Sequence, residues 1–257
     1  MKRIIWVLVG IGAFTVIMTA VYQLGSKNNS DKSDTYIKAK SSQSLKKESL
    51  VDTFQAFSKK GKSTDEMYVT GNIKVGSDSE LKPGIYDLQV TGGSGNIGAD
   101  RDQTSAPFIN YLGDDKGNLN SQGTGDVHGP SKIRLILFSG DVLKLDNISK
   151  VKFIAISKFQ SSNELGQGEY IVGLDIPAGT YKLSSNVKFN PEFDNLGWSI
   201  DILDKNGDNK TQEYNSSNND VVVKLNNGDV VSTSNMYSGE TAGITPDQEK
   251  LIFNKVK

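Results

Sequence analysis

The C-terminal part of this chain contains one sequence pattern twice. The pattern runs from a Val-Gly pair through a Gly-x-Tyr element to a Gly-Asp pair. In the first copy these are Val75-Gly76, Gly84-Ile85-Tyr86 and Gly140-Asp141, and in the second copy they are Val172-Gly173, Gly179-Thr180-Tyr181 and Gly228-Asp229. A repeat about as long as a domain predicts two similar modules rather than a solenoid of short units.

The offset between the copies falls along the chain. It is 97 at the Val-Gly pair, 95 at the tyrosine and 88 at the Gly-Asp pair. Between these points we align an apolar strand around Ile109 with one around Ile200, and a turn at Gly117 with one at Gly207. Small loop deletions in the second copy would produce such a fall. We define the first copy as residues 67–160 and the second copy as residues 164–257, joined near 160–163.

The hydrophobic periodicity after residue 67 is that of β-structure. Tyr86–Val90 and Tyr181–Leu183 alternate apolar and polar residues, as half-buried strands do. Three more continuously apolar stretches predict central strands, namely Ile133–Phe138, Val151–Ile156 and Val221–Leu225. Turns rich in Gly, Asn, Asp and Ser separate the strands. The sequence therefore predicts a mostly β fold with two tandem antiparallel modules of the β-sandwich or jelly-roll type.

The N-terminus carries a segment suited to a membrane. Residues 4–26 contain no charged side chain, and Lys2 and Arg3 precede them. The apolar part, 4–21, is close to the ~20 residues that span a bilayer core, and the positive flank places the N-terminus in the cytoplasm. We expect a retained single-span anchor that contacts lipid through residues 4–23. A cleaved signal peptide with secretion of the product is the alternative, although its cleavage site would be poor.

Charge is distributed unevenly along the chain. Residues 1–66 have a net charge of +5 and residues 67–257 of −6, which sum to the −1 of the whole chain. An acidic C-terminal part argues against binding of nucleic acid, which requires a basic surface. The basic stalk, 27–66, suits anionic lipid or a wall polymer. Simple solvation of a stalk explains the same composition.

One short helix is predicted within the stalk. Over Leu45–Ser58, the side chains of Leu50, Phe54 and Phe57 recur at helical spacing, with Val51 beside them. They form one apolar stripe. We expect this stripe to pack on the first copy, and a second stalk or the membrane surface are the alternatives.

The second copy also carries a recognisable signature. Residues 169–181 read EYIVGLDIPAGTY and resemble the Y-x-V-G-x-D-I-P-A-G-T-Y signature of small β-domains in exported proteins of Gram-positive bacteria. The resemblance implies export to the membrane or wall and a small β-fold, and it implies no activity. The first copy departs from the signature, because 78–82 is longer than the corresponding Asp175-Ile176.

Few residues could support catalysis. The chain has no cysteine and a single histidine, His128, which excludes thiol catalysis and multi-histidine zinc sites. A Ser-His-Asp triad could use only His128, and the surrounding sequence predicts a loop. Paired carboxylates of a glycosidase could come from three pairs, each in a predicted turn: Asp114 with Asp115, Asp100 with Asp102, and Glu192 with Asp194.

Two further groups are candidate binding sites. Asp204, Asn206 and Asp208 have the spacing of the first calcium ligands of an EF-hand, but Gly and Glu are missing at the later positions, so a polar hairpin turn is the stronger prediction. Aromatic residues could stack on a sugar, or they could belong to the core: Trp198, Tyr214, Tyr237 and Phe193. We predict no cofactor.

The repeated motif residues have structural roles in this interpretation. Gly84 and Gly179 permit a bend at a strand entrance, Tyr86 and Tyr181 pack inward, and the Gly-Asp pairs, 140–141 and 228–229, form turns. The sequence favours a non-catalytic protein of the cell envelope that binds a surface polysaccharide, a wall component or an envelope protein. A carboxylate-dependent wall hydrolase and a regulator of a membrane partner are the alternatives.

Overall fold

A computed structural model describes residues 49–101, 108–113, 129–193, 196–236 and 244–256, and the fold is mostly β. Within these ranges, one α-helix and two 3₁₀ turns, Pro191–Phe193 and Pro246–Gln248, accompany the strands. In chain order the elements are α1 (Leu50–Ser58), β1 (Met67–Tyr68), β2 (Ile73–Lys74), β3 (Gly84–Asp100), β4 (Phe108–Leu112), β5 (Lys132–Leu137), β6 (Val142–Ala155), β7 (Glu164–Leu165), β8 (Gly168–Ile171), β9 (Gly179–Ser185), β10 (Gly197–Leu203), β11 (Asn209–Asn215), β12 (Val222–Leu225), β13 (Val230–Asn235) and β14 (Leu251–Lys255).

The described strands form two open sheets. The ten-stranded sheet has the order β1-β6-β3-β5-β8-β13-β10-β11, with β2 also paired to β6 and β4 to β3. The four-stranded sheet has the order β12-β9-β14-β7. Strand neighbours are antiparallel except β5 and β8, which are parallel and meet at Arg134 and Gly168. The larger sheet therefore continues from the first copy into the second.

The first copy encloses its core with two long, bent strands. The register between β3 and β6 shifts several times between Val90 and Asn96, which marks irregular, bulged pairing. Side chains from both ends of these strands meet in one buried cluster, which includes Tyr86, Ile97, Leu143 and Phe153. Because these strands bend, the two ends of the sheet pack against each other and enclose the core.

The core of the second copy lies between the two sheets. Trp198, Ile200 and Val231 come from the ten-stranded sheet, and Tyr181 and Phe253 come from the four-stranded sheet. All are buried. The alternation of apolar and polar residues along each strand places these side chains inward.

The repeated tyrosine makes two equivalent contacts in the two copies, and in the first copy its hydroxyl also accepts the backbone N–H of Lys62 at 3.2 Å. The Tyr86 hydroxyl donates to the carbonyl oxygen of Lys82, and the Tyr181 hydroxyl donates to that of Pro177, both at 2.7 Å. Each ring also meets a phenylalanine edge-on with centroids 5.9 Å apart, Phe153 in the first copy and Phe253 in the second. The tyrosine therefore ties the strand entrance to the core.

The repeated Gly-Asp pair is also structurally equivalent. Gly140 and Gly228 have positive φ values of 100° and 87°, which glycine adopts without strain. The following aspartate accepts a backbone N–H three residues upstream, at 2.9 Å for Asp141 and 2.8 Å for Asp229. Both pairs thus form a closed turn ahead of a strand.

The strand register contradicts our alignment of Ile109 with Ile200. Ile97 of β3 faces Leu145 of β6, and Ile200 of β10 faces Thr233 of β13. Leu145 and Thr233 are 88 positions apart, the offset of the Gly-Asp pairs. Ile97 is therefore the counterpart of Ile200, and β4 beside β3 corresponds to β11 beside β10. The cause is that β3 continues without interruption, whereas the second copy loops between β9 and β10.

The prediction of a central strand at Val221–Leu225 is also wrong. This stretch forms β12, an edge strand of the four-stranded sheet. Val223 and Leu225 point into the core, whereas Val222 is 53% exposed. The continuous apolar run predicts a strand buried on both faces, whereas only one face of β12 is buried.

Helix α1 confirms the predicted helix and its end at Ser58, but the helix packs on both copies. Ser49 and Asp52 form a capping box at its start. The Phe57 ring stacks on Phe138 of the first copy with centroids 5.2 Å apart. At the other end, Leu50 lies against Gly228 of the second copy. The expectation of docking on the first copy alone was therefore incomplete.

No helix among the described residues is long and apolar enough to cross a bilayer. The predicted anchor, 4–26, lies outside the described residues.

A glycine substitution tests the docking of α1. A Cβ at Gly228 would lie 2.5 Å from the Leu50 Cβ, whereas nothing lies within 4 Å of one at Gly207. Both glycines have positive φ, so Gly207→Ala should cost about 1–2 kcal/mol from backbone strain alone. Gly228→Ala should cost at least about 1 kcal/mol more, since α1 must shift. Urea unfolding measures both changes, and equal losses would contradict the packing of α1 on this turn.

A candidate binding cleft between the two copies

One face of the first copy's sheet points toward the second copy. We call it the junction face, formed by alternate residues of three strands: Ile85, Asp87 and Gln89 of β3, Lys132, Arg134 and Ile136 of β5, and Lys152 and Ile154 of β6. The residues between them point into the first copy's core. Along the junction face the side chains change from apolar through ion-paired to basic.

The apolar end of the junction face is covered. Ile85 and Ile136 pack with Phe54 of α1 and Ile171 of β8 in a shared buried cluster. This cluster joins the helix, the first copy and the second copy. Burial of these apolar surfaces stabilises the arrangement of the two copies.

The middle of the junction face is occupied by Arg134. Its Nε lies 2.6 Å from Asp87, and its NH1 lies 2.7 Å from Asp175 of the second copy. Its guanidinium carbon also lies 5.8 Å from the centroid of the Tyr170 ring. Burial raises the pKa of the Asp175 carboxyl, and the positive charge of Arg134 opposes that shift. Arg134 therefore links two carboxylates across the junction.

Close backbone contact accompanies this ion pair. Gly168 has a φ of +132°, and a Cβ there would lie 2.5 Å from the Arg134 carbonyl oxygen. Only glycine permits β8 to approach β5 so closely.

Arg101 forms a second ionic link between the copies. Its guanidinium binds both carboxylate oxygens of Glu169, with NH2 to Oε2 at 2.9 Å. The two side chains are 4% and 7% exposed. Oε2 of Glu169 also accepts the backbone N–H of Ile136 at 2.8 Å. Two parallel hydrogen bonds between a guanidinium and a carboxylate fix the relative orientation of the two groups in addition to pairing their charges.

Beyond Arg134 the copies separate and leave a polar cleft of about 470 Å³. Its lining comes from both copies and includes Gln89, Lys132, Glu164, Tyr170, Asp247 and Lys250. Asp247 of the second copy accepts from the backbone N–H of Ser131 at 2.9 Å and from its hydroxyl at 2.7 Å. The two walls are thus fixed to each other at the rim.

The cleft contains hydrogen-bond donors and acceptors on a partly apolar floor. Burial raises the pKa of the Tyr170 hydroxyl above its usual value, so this group stays protonated, and it donates to the Gln167 carbonyl oxygen at 3.3 Å. Ile154, on the junction face, contributes apolar surface. A concave site with a few oriented polar groups suits binding of a polar ligand.

The candidate calcium residues form a hairpin turn between β10 and β11. Asp204 Oδ1 accepts the backbone N–H groups of Asn206 at 2.7 Å and Asp208 at 3.0 Å. Within the described ranges, no three acidic or histidine side chains form a group that could hold a metal ion.

The candidate aromatic residues do not form a stacking platform where the structure describes them. Trp198 is 1% exposed and donates from Nε1 to the Ser185 hydroxyl at 2.9 Å. Tyr214 packs edge-on against Phe189, with centroids 5.7 Å apart. The ligand-facing alternative for Trp198 is wrong, since the side chain belongs to the core. Tyr237 lies outside the described residues.

Neither of the two candidate acids that the structure describes lies at the cleft. Asp100, at the end of β3, forms an ion pair with Lys144 at 2.7 Å, and Glu192 is exposed in a 3₁₀ turn. The remaining candidates lie outside the described residues: Asp102, Asp114, Asp115, His128 and Asp194.

Sequence analysis missed the two arginines of the junction. Of the three arginines in the chain, only Arg101 and Arg134 follow residue 67, and all other basic residues there are lysines except His128. Arginine is the preferred cation for buried, bidentate ion pairs. The scarcity of arginine was therefore the feature of the sequence that could have indicated these buried ion pairs.

Comparison of the chain with protein-family models, curated proteins and solved structures found no match.

Proposed function

We propose that this chain is a single-pass protein of a bacterial cell envelope that displays two homologous β-modules outside the membrane and binds an envelope component without catalysis. In this proposal both modules are of the sandwich or jelly-roll type. Residues 4–26 supply the anchor, and residues 27–66 supply the stalk. The likeness of residues 169–181 to a signature of exported Gram-positive proteins supports the compartment.

The observation that carries the binding role is the cleft between the copies. Its walls come from two parts of the chain and are held by buried ion pairs and by the bond of Asp247 to Ser131. Preorganised walls reduce the entropic cost of binding. The cleft also combines polar groups with apolar floor, as ligand sites do.

Filling the cleft should abolish binding. Gln89 lies on the cleft floor with its neighbours on the same face, so Gln89→Trp should occupy the cleft without entering the core. We expect at least about tenfold weaker retention of the full chain by isolated envelopes, the loss of a central contact. Sedimentation of the detergent-solubilised protein with envelope material measures this.

Lys224→Trp is the matched control, because Lys224 is exposed on β12 of the other sheet. It should leave retention unchanged. Equal retention of wild-type protein and Gln89→Trp would overturn the assignment of binding to the cleft.

The anchor has its own test. Protease added outside intact cells or protoplasts should remove the β-structured part and leave a membrane-bound stub, because residues 4–26 are uncharged and follow Lys2 and Arg3. A mature N-terminus near Val21, found by N-terminal sequencing, would contradict a retained anchor.

A further inference from the structure

The uncovered end of the junction face is basic. In the strand register, Lys152 of β6 faces Gln89 of β3, and Gln89 faces Lys132 of β5. These three side chains form one row across neighbouring strands. Because strands lie about 4.8 Å apart, the two lysines stand about 10 Å apart with the amide of Gln89 between them.

The two lysines of this row are not used in ion pairs within the described part of the protein. Among the described residues, neither Lys132 nor Lys152 forms an ion pair, whereas Lys150, the next outward residue of β6, pairs with Glu66 at 2.9 Å. Asp247 lies on the opposite rim, and its carboxylate already accepts backbone N–H groups of Ser131 and Lys132. The row therefore presents two ammonium groups that form no ion pair with a described carboxylate.

A third ammonium group extends the row across the cleft. Lys250 of the second copy donates from Nζ to the Asp247 carbonyl oxygen at 3.0 Å. Glycine at position 166 leaves room there, since a Cβ would lie 3.3 Å from this Nζ. Burial lowers the pKa of Lys250, and the charge of Lys132 lowers it further, against the opposing fields of Asp247, Glu164 and Glu249. An anionic group placed between Lys132 and Lys250 would relieve this repulsion.

We propose that the cleft binds a linear polymer that bears carboxylate or phosphate groups. The polymer crosses β6, β3 and β5, with anionic groups at Lys152, Lys132 and Lys250 and a hydrogen bond to Gln89 between them. This inference rests on the proposed function, because it names the chemical class of ligand for the same cleft. The net charge of −6 over residues 67–257 makes recognition local, since the surrounding surface repels anions at longer range.

The test uses the full chain in detergent and three soluble polymers. Polygalacturonate carries carboxylates, polyphosphate carries phosphates, and dextran is neutral. Isothermal titration should show binding of at least one anionic polymer and none of dextran. The binding should weaken as salt rises, because salt screens the exposed charges.

Two double variants locate the site. Lys132→Gln with Lys152→Gln should weaken binding of the anionic polymer by about tenfold or more, since each lysine near an anionic surface contributes appreciably. Lys210→Gln with Lys224→Gln removes two charges from exposed positions on β11 and β12 and should change binding by no more than about twofold. Which of the two anionic polymers binds identifies the anionic group.

Several results would overturn the inference. Failure of both anionic polymers to bind the wild-type chain would do so, as would equal losses in the two double variants, which would mean non-specific attraction. Dextran binding that is unaffected by salt and by lysine replacement would exclude an anionic ligand. If Gln89→Trp abolished this dextran binding, the proposed function would still stand. Failure of the proposed function appears separately, as unchanged retention of Gln89→Trp by envelopes.

Discussion

Replacement of Arg101 by methionine is expected to lower the free energy of unfolding by about 3–5 kcal/mol, because removal of one partner leaves a buried charge uncompensated. Arg101 binds both oxygens of Glu169, and the two side chains are nearly inaccessible to solvent. Urea unfolding of the full chain measures the loss. Lys182→Met is the control, since the pair of Lys182 and Asp220 is exposed to solvent and its loss should have little effect on stability.

A double variant separates the lost charge from lost packing. Glu169→Gln removes the carboxylate charge but keeps an acceptor for the Ile136 N–H. Combined with Arg101→Met, it should recover part of the stability, because the buried charge of Glu169 is then removed, while the buried Asp141 carboxylate, 3.9 Å from Arg101 Nε, loses its arginine neighbour in both variants. If Arg101→Met alone costs no more than the surface control, the ion pair does not hold the junction together.

Replacement of Tyr181 by alanine should cost about 3–5 kcal/mol, the range for truncating a large buried aromatic side chain. The ring is buried against Phe253, and its hydroxyl donates to Pro177. Tyr181→Phe, which keeps the ring and loses only that hydrogen bond, should cost about 1 kcal/mol. Thermal unfolding compares the two variants. Tyr86→Ala should behave like Tyr181→Ala, whereas Tyr86→Phe should cost more than Tyr181→Phe, because the Tyr86 hydroxyl also accepts the backbone N–H of Lys62 at 3.2 Å.

This result also distinguishes packing from ligand contact. A folded Tyr181→Ala protein of wild-type stability that had lost only binding would make the tyrosine part of a binding site, and the structural role of the repeat would be wrong.

Local features of the fold were predictable from the sequence because their causes are local. The stripe of Leu50, Phe54 and Phe57 predicted α1, and alternation from Tyr86 and Tyr181 predicted the strands that begin at the Gly-x-Tyr elements. The Gly-Asp turns likewise depend on residues three positions apart. Each signal lies within one turn of helix or a few strand residues.

The junction could not be predicted because its contacts link distant positions. Arg101 and Glu169 are 68 residues apart, and Arg134 and Asp175 are 41 apart. Neither distance is encoded in a periodic pattern. The alignment error at β4 has the same origin, since one copy continues a strand where the other loops out, and only the register reveals which strands correspond.

The cleft was missed for a related reason. Gln89, Lys132 and Lys152 look like ordinary solvent-facing strand residues, and only the pairing of three strands brings them into one row. The candidate residues chosen from the sequence were turn acids and aromatics, which turns and cores use for their own stability. Lys250, which completes the row, comes from the other copy.

The cleft exists only while the two copies and α1 behave as one unit. A calorimetric scan of the full chain tests this. We predict one transition over the β-structured part, with equal calorimetric and van't Hoff enthalpies, as a cooperative unit requires. Two transitions, one abolished by Tyr86→Ala and the other by Tyr181→Ala, would mean that each copy folds alone, and would contradict a binding cleft built from both.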